Sequence, residues 1–343
     1  MTPEFNLIKR FFTRPTPQAD LGVGDDAALL RVQDGHQLVI STDMSVADTH
    51  FFAEAEPYFI GWKSLAVNVS DIAAMGATPK WATLALALPS VDETWLAEFS
   101  RGFFACADRF GMDLIGGDTT RGPLNISITI MGEVPVNQAL RRDGAKVGDE
   151  IWVSGQLGVA AFALAKLVDK NNAYDYIDAD ELAYLLPALH TPQPRVTLGL
   201  ALREIAHSAI DISDGLLADL GHILARSNVG AELALAQIPC AQLKHGGRPP
   251  SDLQKMDLIK LAPIKMALTG GDDYELCFTA PASAHEQILQ IGQQLGVPLS
   301  CIGRVVENAQ LTLLDTLGHV VTLNQLGLES DGVVKYGFDH FSA

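Results

Sequence analysis

The stretch "AIDISDGLLADLGHILARS", residues 209–227, sets the class of the fold. "AIDIS" reads as a buried strand, and "DGLLADLGHILARS" as the helix after it, with Leu216, Leu217, Leu220, Ile223 and Leu224 on one face. A strand running through a short acidic turn into an amphipathic helix is a building block of mixed α and β architectures. Three aspartates sit in this apolar setting, and a carboxylate beside a core is costly unless something compensates it. Asp211 and Asp214 flank the turn and are candidates for such compensation. Asp219 lies one turn further along, off their shared edge, and reads as a solvent-facing residue.

Working outward, strands and helices alternate on both sides. "QLVIST" (37–42) reads as a strand ending at Asp43, "KWATLALAL" (80–88) as a second and "LNISITIMGEV" (124–134) as a third. Residues 61–75 and 92–110 have helical periodicity. The phenylalanines and leucine of the N-terminal stretch allow a short docking helix, and that stretch lacks the apolar core of a signal peptide. Residues 134–150 are polar and turn-rich, which places a domain boundary there and gives two domains, 1–137 and 138–343. The expected class is α+β (mixed α/β). Residues 241–258 match no recognisable pattern.

The chain has 343 residues, a net charge of −17 and four cysteines without a CxxC pair. The acidity excludes nucleic acid as a partner, since phosphate contacts need lysine and arginine. No window is long and apolar enough for a membrane span. Buried, reduced thiols and a cytoplasmic location are the expectation.

The acids are not scattered. "GVGDDAAL" (22–29), "ISTDMS" (40–45), "NVSDIAAMGA" (68–77), "IGGDTT" (115–120), "AIDISDGL" (209–216) and "TGGDDYEL" (269–276) each set carboxylates beside glycine or small residues. Any one of them is explained as a turn or a cap. Together they outnumber what general acid–base chemistry needs, and they suit a hard, oxygen-seeking divalent cation of the kind that bridges phosphates. Asp71 falls opposite the apolar face of its helix, at about 180° by the 100° step, among alanines and a glycine. Zinc is disfavoured, because no histidine and cysteine set has ligand spacing. Neither a P-loop, a dinucleotide fingerprint, a protein-kinase catalytic loop nor a GxSxG elbow is present.

In order along the chain, "GDDAAL", "STDM", "NVSDIAAMGATP", "GGDTTRGPL", "RRDGAKVGD", "DISDGLLADL", "GGDDYEL" and "GFDHF" resemble the motifs of the thiamine-monophosphate kinase family, over about residues 22–341. The wider superfamily includes aminoimidazole ribonucleotide synthetase. The resemblance implies a homodimer whose N-terminal domains pair in a barrel, and transfer of phosphate from ATP, as co-substrate, to thiamine monophosphate. It implies that Asp26, Ser41, Thr42, Asp43, Asp71, Asp118, Asp211 and Asp214 hold several Mg²⁺ ions, with Asp43, Asp71, Asp118 and Asp214 catalytic. Gly117, Asp118, Arg142 and Ser213 are implied for ATP. His50, Glu275 and Phe338, in preference to Phe341, are implied for the substrate. The rival readings are another ATP-dependent enzyme of the same superfamily and a non-catalytic protein that binds divalent metal.

Overall fold

The computed structural model describes residues 3–243, 253–330, 333–334 and 336–338. These fall into two compact units, Met1–Ala139 and Leu140–Ala343.

The first unit opens with a short helix, α1 (Pro3–Leu7), and a π-helical turn, Ile8–Phe12, that buries Phe11 and Phe12. There follow β1 (His36–Val46), α2 (Pro57–Ala74), β2 (Thr78–Leu88), α3 (Glu93–Phe110), β3 (Asp113–Arg121) and β4 (Asn125–Pro135). The strands form one sheet in the order β1-β4-β2-β3. β1 runs past Asp43 to Val46, further than the hydrophobic run predicts, because Asn125–Pro135 offers it an unbroken antiparallel partner. α3 begins where Asp92 accepts from the amides of Thr94 and Trp95 (2.9 and 3.0 Å), and it ends at Gly111 in the left-handed region.

The two long helices touch backbone to backbone. A Cβ on Gly61 would stand 2.1 Å from the carbonyl oxygen of Phe99, and one on Gly102 would stand 1.9 Å from that of Tyr58. Glycine here trades helix propensity for close approach. Gly61→Ala is therefore expected to destabilise this unit by about 3 kcal/mol through overpacking, read as a lower urea midpoint at unchanged slope.

The second unit contains β5 (Asp149–Ser154), α4 (Val159–Leu167), α5 (Ala179–His190), α6 (Val196–Leu202), β6 (Ser208–Ile212) and α7 (Leu216–Ser227). It continues with β7 (Gly230–Ala234), α8 (Leu253–Thr269), β8 (Glu275–Pro281), α9 (His285–Leu295), β9 (Leu299–Val306), β10 (Leu311–Leu314) and β11 (Val320–Val321). A mixed seven-stranded sheet has the order β11-β10-β7-β9-β5-β8-β6. Glu329–Ser330 and Val333–Val334 pair as a small separate ladder. The leucine face of α7 is buried as its periodicity predicts, against Ile151, Val153 and Ile210 of the sheet. On the sheet's other face Trp152 and Phe278 stack with ring centroids 6.3 Å apart.

Candidate active site

In the first unit, strand alternation sorts the residues of "ISTDMS" onto two faces. Ser41 and Asp43 pair with Ile130 and Ile128, whose side chains are buried under the helices, and so they face α2. There Ser41 Oγ donates to Asp71 Oδ2 at 2.5 Å, and the Asp43 amide donates to Asn68 Oδ1 at 3.2 Å. The Asn68–Asp71 edge of α2 thus meets β1. Burial, and then the nearby Asp71 carboxylate, push the Asp43 carboxyl up to about 6. Two carboxylates and a hydroxyl held this closely are an oxygen donor set that a hard divalent cation fits, since a cation removes the repulsion that raises Asp43.

Thr42 turns its side chain away from this donor set. Its hydroxyl lies on the opposite strand face, bonded to Thr129 Oγ1 at 2.9 Å, because adjacent strand residues cannot share a face. Asp118 also stands apart from the Asp43–Asp71 pair. It belongs to the row Met44–Ser127–Ala85–Asp118 across the sheet, on the strand at the far edge from β1. Three strand spacings, roughly 14 Å, separate the two edges. Gly117 beside it has φ 151°, and a Cβ there would stand 1.8 Å from the Leu84 carbonyl oxygen, so only glycine fits. Asp26 is exposed in its loop, its amide donating to Asp25. His50 Nδ1 accepts from the Val46 amide at 3.0 Å, which places the proton of the neutral ring on Nε2.

In the second unit, Asp211 is buried on β6 and Ser213–Asp214–Gly215 form the turn into α7. Asp219 overturns its sequence reading as a surface residue. It is 3% exposed, and its Oδ2 accepts from the amides of Ser213, Asp214 and Gly215 at 3.0, 3.0 and 3.1 Å. Burial pushes its carboxyl up to about 7, while the amide bonds act the other way. α7 has a glycine N-cap and no capping side chain at that position, so an acid inside the first turns supplies what the cap lacks. That pairing of a glycine cap with an early acid is the signal available in the sequence. The turn is pinned from outside as well. Ser213 O accepts from the Asp272 amide at 2.9 Å, and Asp214 O from the Phe338 amide at 3.0 Å.

Phe338 is half exposed beside this turn, whereas Phe341 lies outside the described residues. Arg142 is exposed in the segment leading to β5, its carbonyl accepting from Ser227 Oγ at 3.0 Å.

In "GGDDYEL" Asp272 and Tyr274 both stand at positive φ, a sparsely populated region for residues other than glycine. Asp273 accepts from the Gly158 amide through both oxygens at 2.9 Å, and burial holds its carboxyl well above the usual range. Glu275, expected at the substrate, has its carboxylate turned to protein partners. Ser154 Oγ donates to Oε2 at 2.5 Å, Arg195 Nε donates to Oε2 at 2.7 Å, and Arg195 Nη2 donates to Oε1. Those side chains are 26% and 9% exposed, so the rule for buried pairs governs them rather than that for surface pairs. Glu275→Gln is expected to cost about 3 kcal/mol of stability, because it leaves Arg195 charged beside a neutral group; denaturant unfolding measures it. Arg195 and Ser154 were not apparent from sequence, as they lie far along the chain from Glu275.

Residues 24–134 match the AIR synthase related protein N-terminal domain, and residues 146–315 match the corresponding C-terminal domain. The thiamine-monophosphate kinase of Escherichia coli strain K12 is 43% identical over 342 residues, which is 99% of this chain and 98% of that protein. The crystal structure of thiamine-monophosphate kinase from Stenotrophomonas maltophilia K279a is similar with a TM-score of 0.77 and 46% identity, over 90% of this chain and 94% of that one. AaThiL complexed with AMPPCP and TMP is similar with a TM-score of 0.68 and 27% identity, over 92% and 93% of the two chains. With both domains matched in order and identity sustained along its whole length, the chain belongs to the AIR synthase related family and, within it, to the thiamine-monophosphate kinases.

Proposed function

We propose that the protein phosphorylates thiamine monophosphate with ATP, giving thiamine diphosphate and ADP. The observation that carries this reading is the half-buried Asp43–Asp71 pair with Ser41, in a chain 43% identical over its length to a thiamine-monophosphate kinase. A phosphate oxygen of the acceptor attacks the γ-phosphorus, the bond to the bridging oxygen breaks, and the electron pair leaves on ADP. The acceptor is anionic at neutral pH, so no side chain has to remove a proton from it. Asp26, Ser41, Thr42, Asp43, Asp71, Asp118, Asp211 and Asp214 are the residues assigned to Mg²⁺. Bound there, the metal supplies positive charge that offsets repulsion between the two phosphate chains.

Gly117, Asp118, Arg142 and the Ser213 hydroxyl are assigned to ATP. His50 offers an Nε2 proton to the substrate, and the half-exposed Phe338 ring offers a stacking face. Glu275 is assigned to the substrate together with Arg195, which it orients. A pairing of two copies through β1 is supported by Leu38, Ile40 and Met44, which are 40%, 57% and 56% exposed on the strand face turned away from α2. A cytoplasmic setting is supported by four free cysteines, two of them buried. No helix among the described residues is long and apolar enough to cross a membrane.

Chromatographic detection of thiamine diphosphate after incubation with thiamine monophosphate, ATP and Mg²⁺ tests the reading. Formation of the diphosphate with matching ADP supports it. ATP turnover that requires formylglycinamidine ribonucleotide instead, or ATP binding without any ADP, overturns it in favour of a superfamily relative or a non-catalytic metal binder.

A further inference from the structure

We infer that Glu150, His285 and Cys301 form a second metal site, suited to Zn²⁺ or a similar borderline divalent ion. One ligand atom from each lies within 4.8 Å of the other two. The residues come from β5, the first turn of α9 and β9, so no local spacing in the sequence announces them. His285 Nδ1 is 3.0 and 2.9 Å from the two oxygens of Glu150. A tetrahedral zinc with ordinary bond lengths sets N···O at about 3.3 Å and N···S at about 3.6 Å. Side-chain torsions need to move these atoms by only roughly 1 Å.

An irregularity in the sheet brings the sulfur to this face. The β5–β9 register shifts between Ile151 and Trp152, so Trp152 pairs with Cys301 and Ile302 has no partner. In an unbroken register Ile302 would pair with Trp152, and Cys301 would join Ile151 and Val153 on the other face. With the shift, Ile302 is buried among Ile151 and Val153, while Cys301 shares the face of Glu150 and Trp152. Bulges of this kind re-aim side chains next to sites.

The surroundings suit a cation that accepts nitrogen and sulfur. Arg304, the cross-strand neighbour of Glu150, gives its guanidinium to Glu232 at 2.8 Å. The Cys301 thiol makes one weak hydrogen bond among the described residues, donating to the Gly303 carbonyl at 3.8 Å. Trp152, 4.9 Å from the His285 ring, is fully buried with an indole N–H that has no acceptor among the described residues. Three ligands from protein leave a fourth position for water, and that donor belongs to the same layer. On binding, the thiol proton leaves to solvent and the His285 proton resides on Nε2, so Nδ1 and Sγ both present lone pairs. Glu150 lies four residues along β5 from Ser154, roughly 13 Å, which separates this site from the Glu275 cluster. The bound ion would tie the start of α9 to the centre of the sheet.

Titration of the full-length, chelator-treated protein with Co²⁺, in excess Mg²⁺ to fill the carboxylate sites, is the test. One equivalent of Co²⁺ should produce a thiolate-to-cobalt charge-transfer band. Cys301→Ser should abolish the band, Cys240→Ser should keep it, and His285→Gln should weaken binding by more than about tenfold. Cys301→Ser should retain Mg²⁺-dependent turnover and thermal stability without Co²⁺, which shows that the fold survives. Absence of the band in the unaltered protein, or its persistence in Cys301→Ser, overturns the site.

Discussion

Asp71→Asn is expected to lower turnover by about a thousandfold or more, with thermal stability nearly unchanged. The reason is local charge. Asp71 accepts the Ser41 hydroxyl at 2.5 Å and lies close enough to Asp43 to raise its carboxyl. The amide preserves shape and still accepts that hydroxyl, so packing is kept. It removes one of the negative charges assigned to the metal and leaves the phosphate repulsion less compensated. The loss should appear in kcat and in a higher Mg²⁺ concentration for half-maximal rate. Near-normal turnover at saturating Mg²⁺ would remove Asp71 from the metal set. Relief of the repulsion also lets Asp43 titrate lower in this variant, and the pH–rate profile reads that change separately.

Asp219→Ala is expected to act on both stability and rate. Three amides at 3.0 to 3.1 Å lose their acceptor in a place that is 3% exposed. Each buried donor left without a partner costs about 1–3 kcal/mol, and partial hydration of the turn holds the total to roughly 3–4 kcal/mol. Turnover should fall about a hundredfold, as expected when a reacting group is misplaced by an ångström, because Ser213 and Asp214 ride on that turn. Asp219→Asn, which keeps one acceptor oxygen, should lie between the two. Equal turnover in Asp219→Ala and the unaltered protein, with unfolding shifted alone, would make the residue purely structural.

Periodic segments were legible in sequence. The stripe of α3 and the leucine face of α7 follow from side-chain direction alone, and the buried cores contain Phe99, Phe103, Leu216, Leu220 and Ile223. The acidic motifs were legible too, because each sets carboxylates beside glycine or small residues. Three things were not. A helical wheel shows where the Asp219 side chain leaves the axis, but not that three amides wait beyond the helix start. Strand alternation near a polar run hid that the Thr42 hydroxyl and Asp43 oppose each other. The pairing of Glu275 with Arg195 and Ser154 needs the folded sheet to bring distant segments together. α8 was missed for a different reason: the polar run at 241–258 overlaps its start, and Pro263 interrupts its pattern. Residues 244–252 of that run lie outside the described residues.

The Asp219 carboxylate has a wider consequence. In many nucleotide-binding folds the bare amides at a helix start cradle a phosphate directly. Here the amides of Ser213, Asp214 and Gly215, in the turn just before the helix, are already occupied by an anion the chain carries itself. Those three donors of the turn are thus spent on an internal anion before any triphosphate arrives. In a chain of net charge −17 a phosphate is left to be drawn by groups other than these donors.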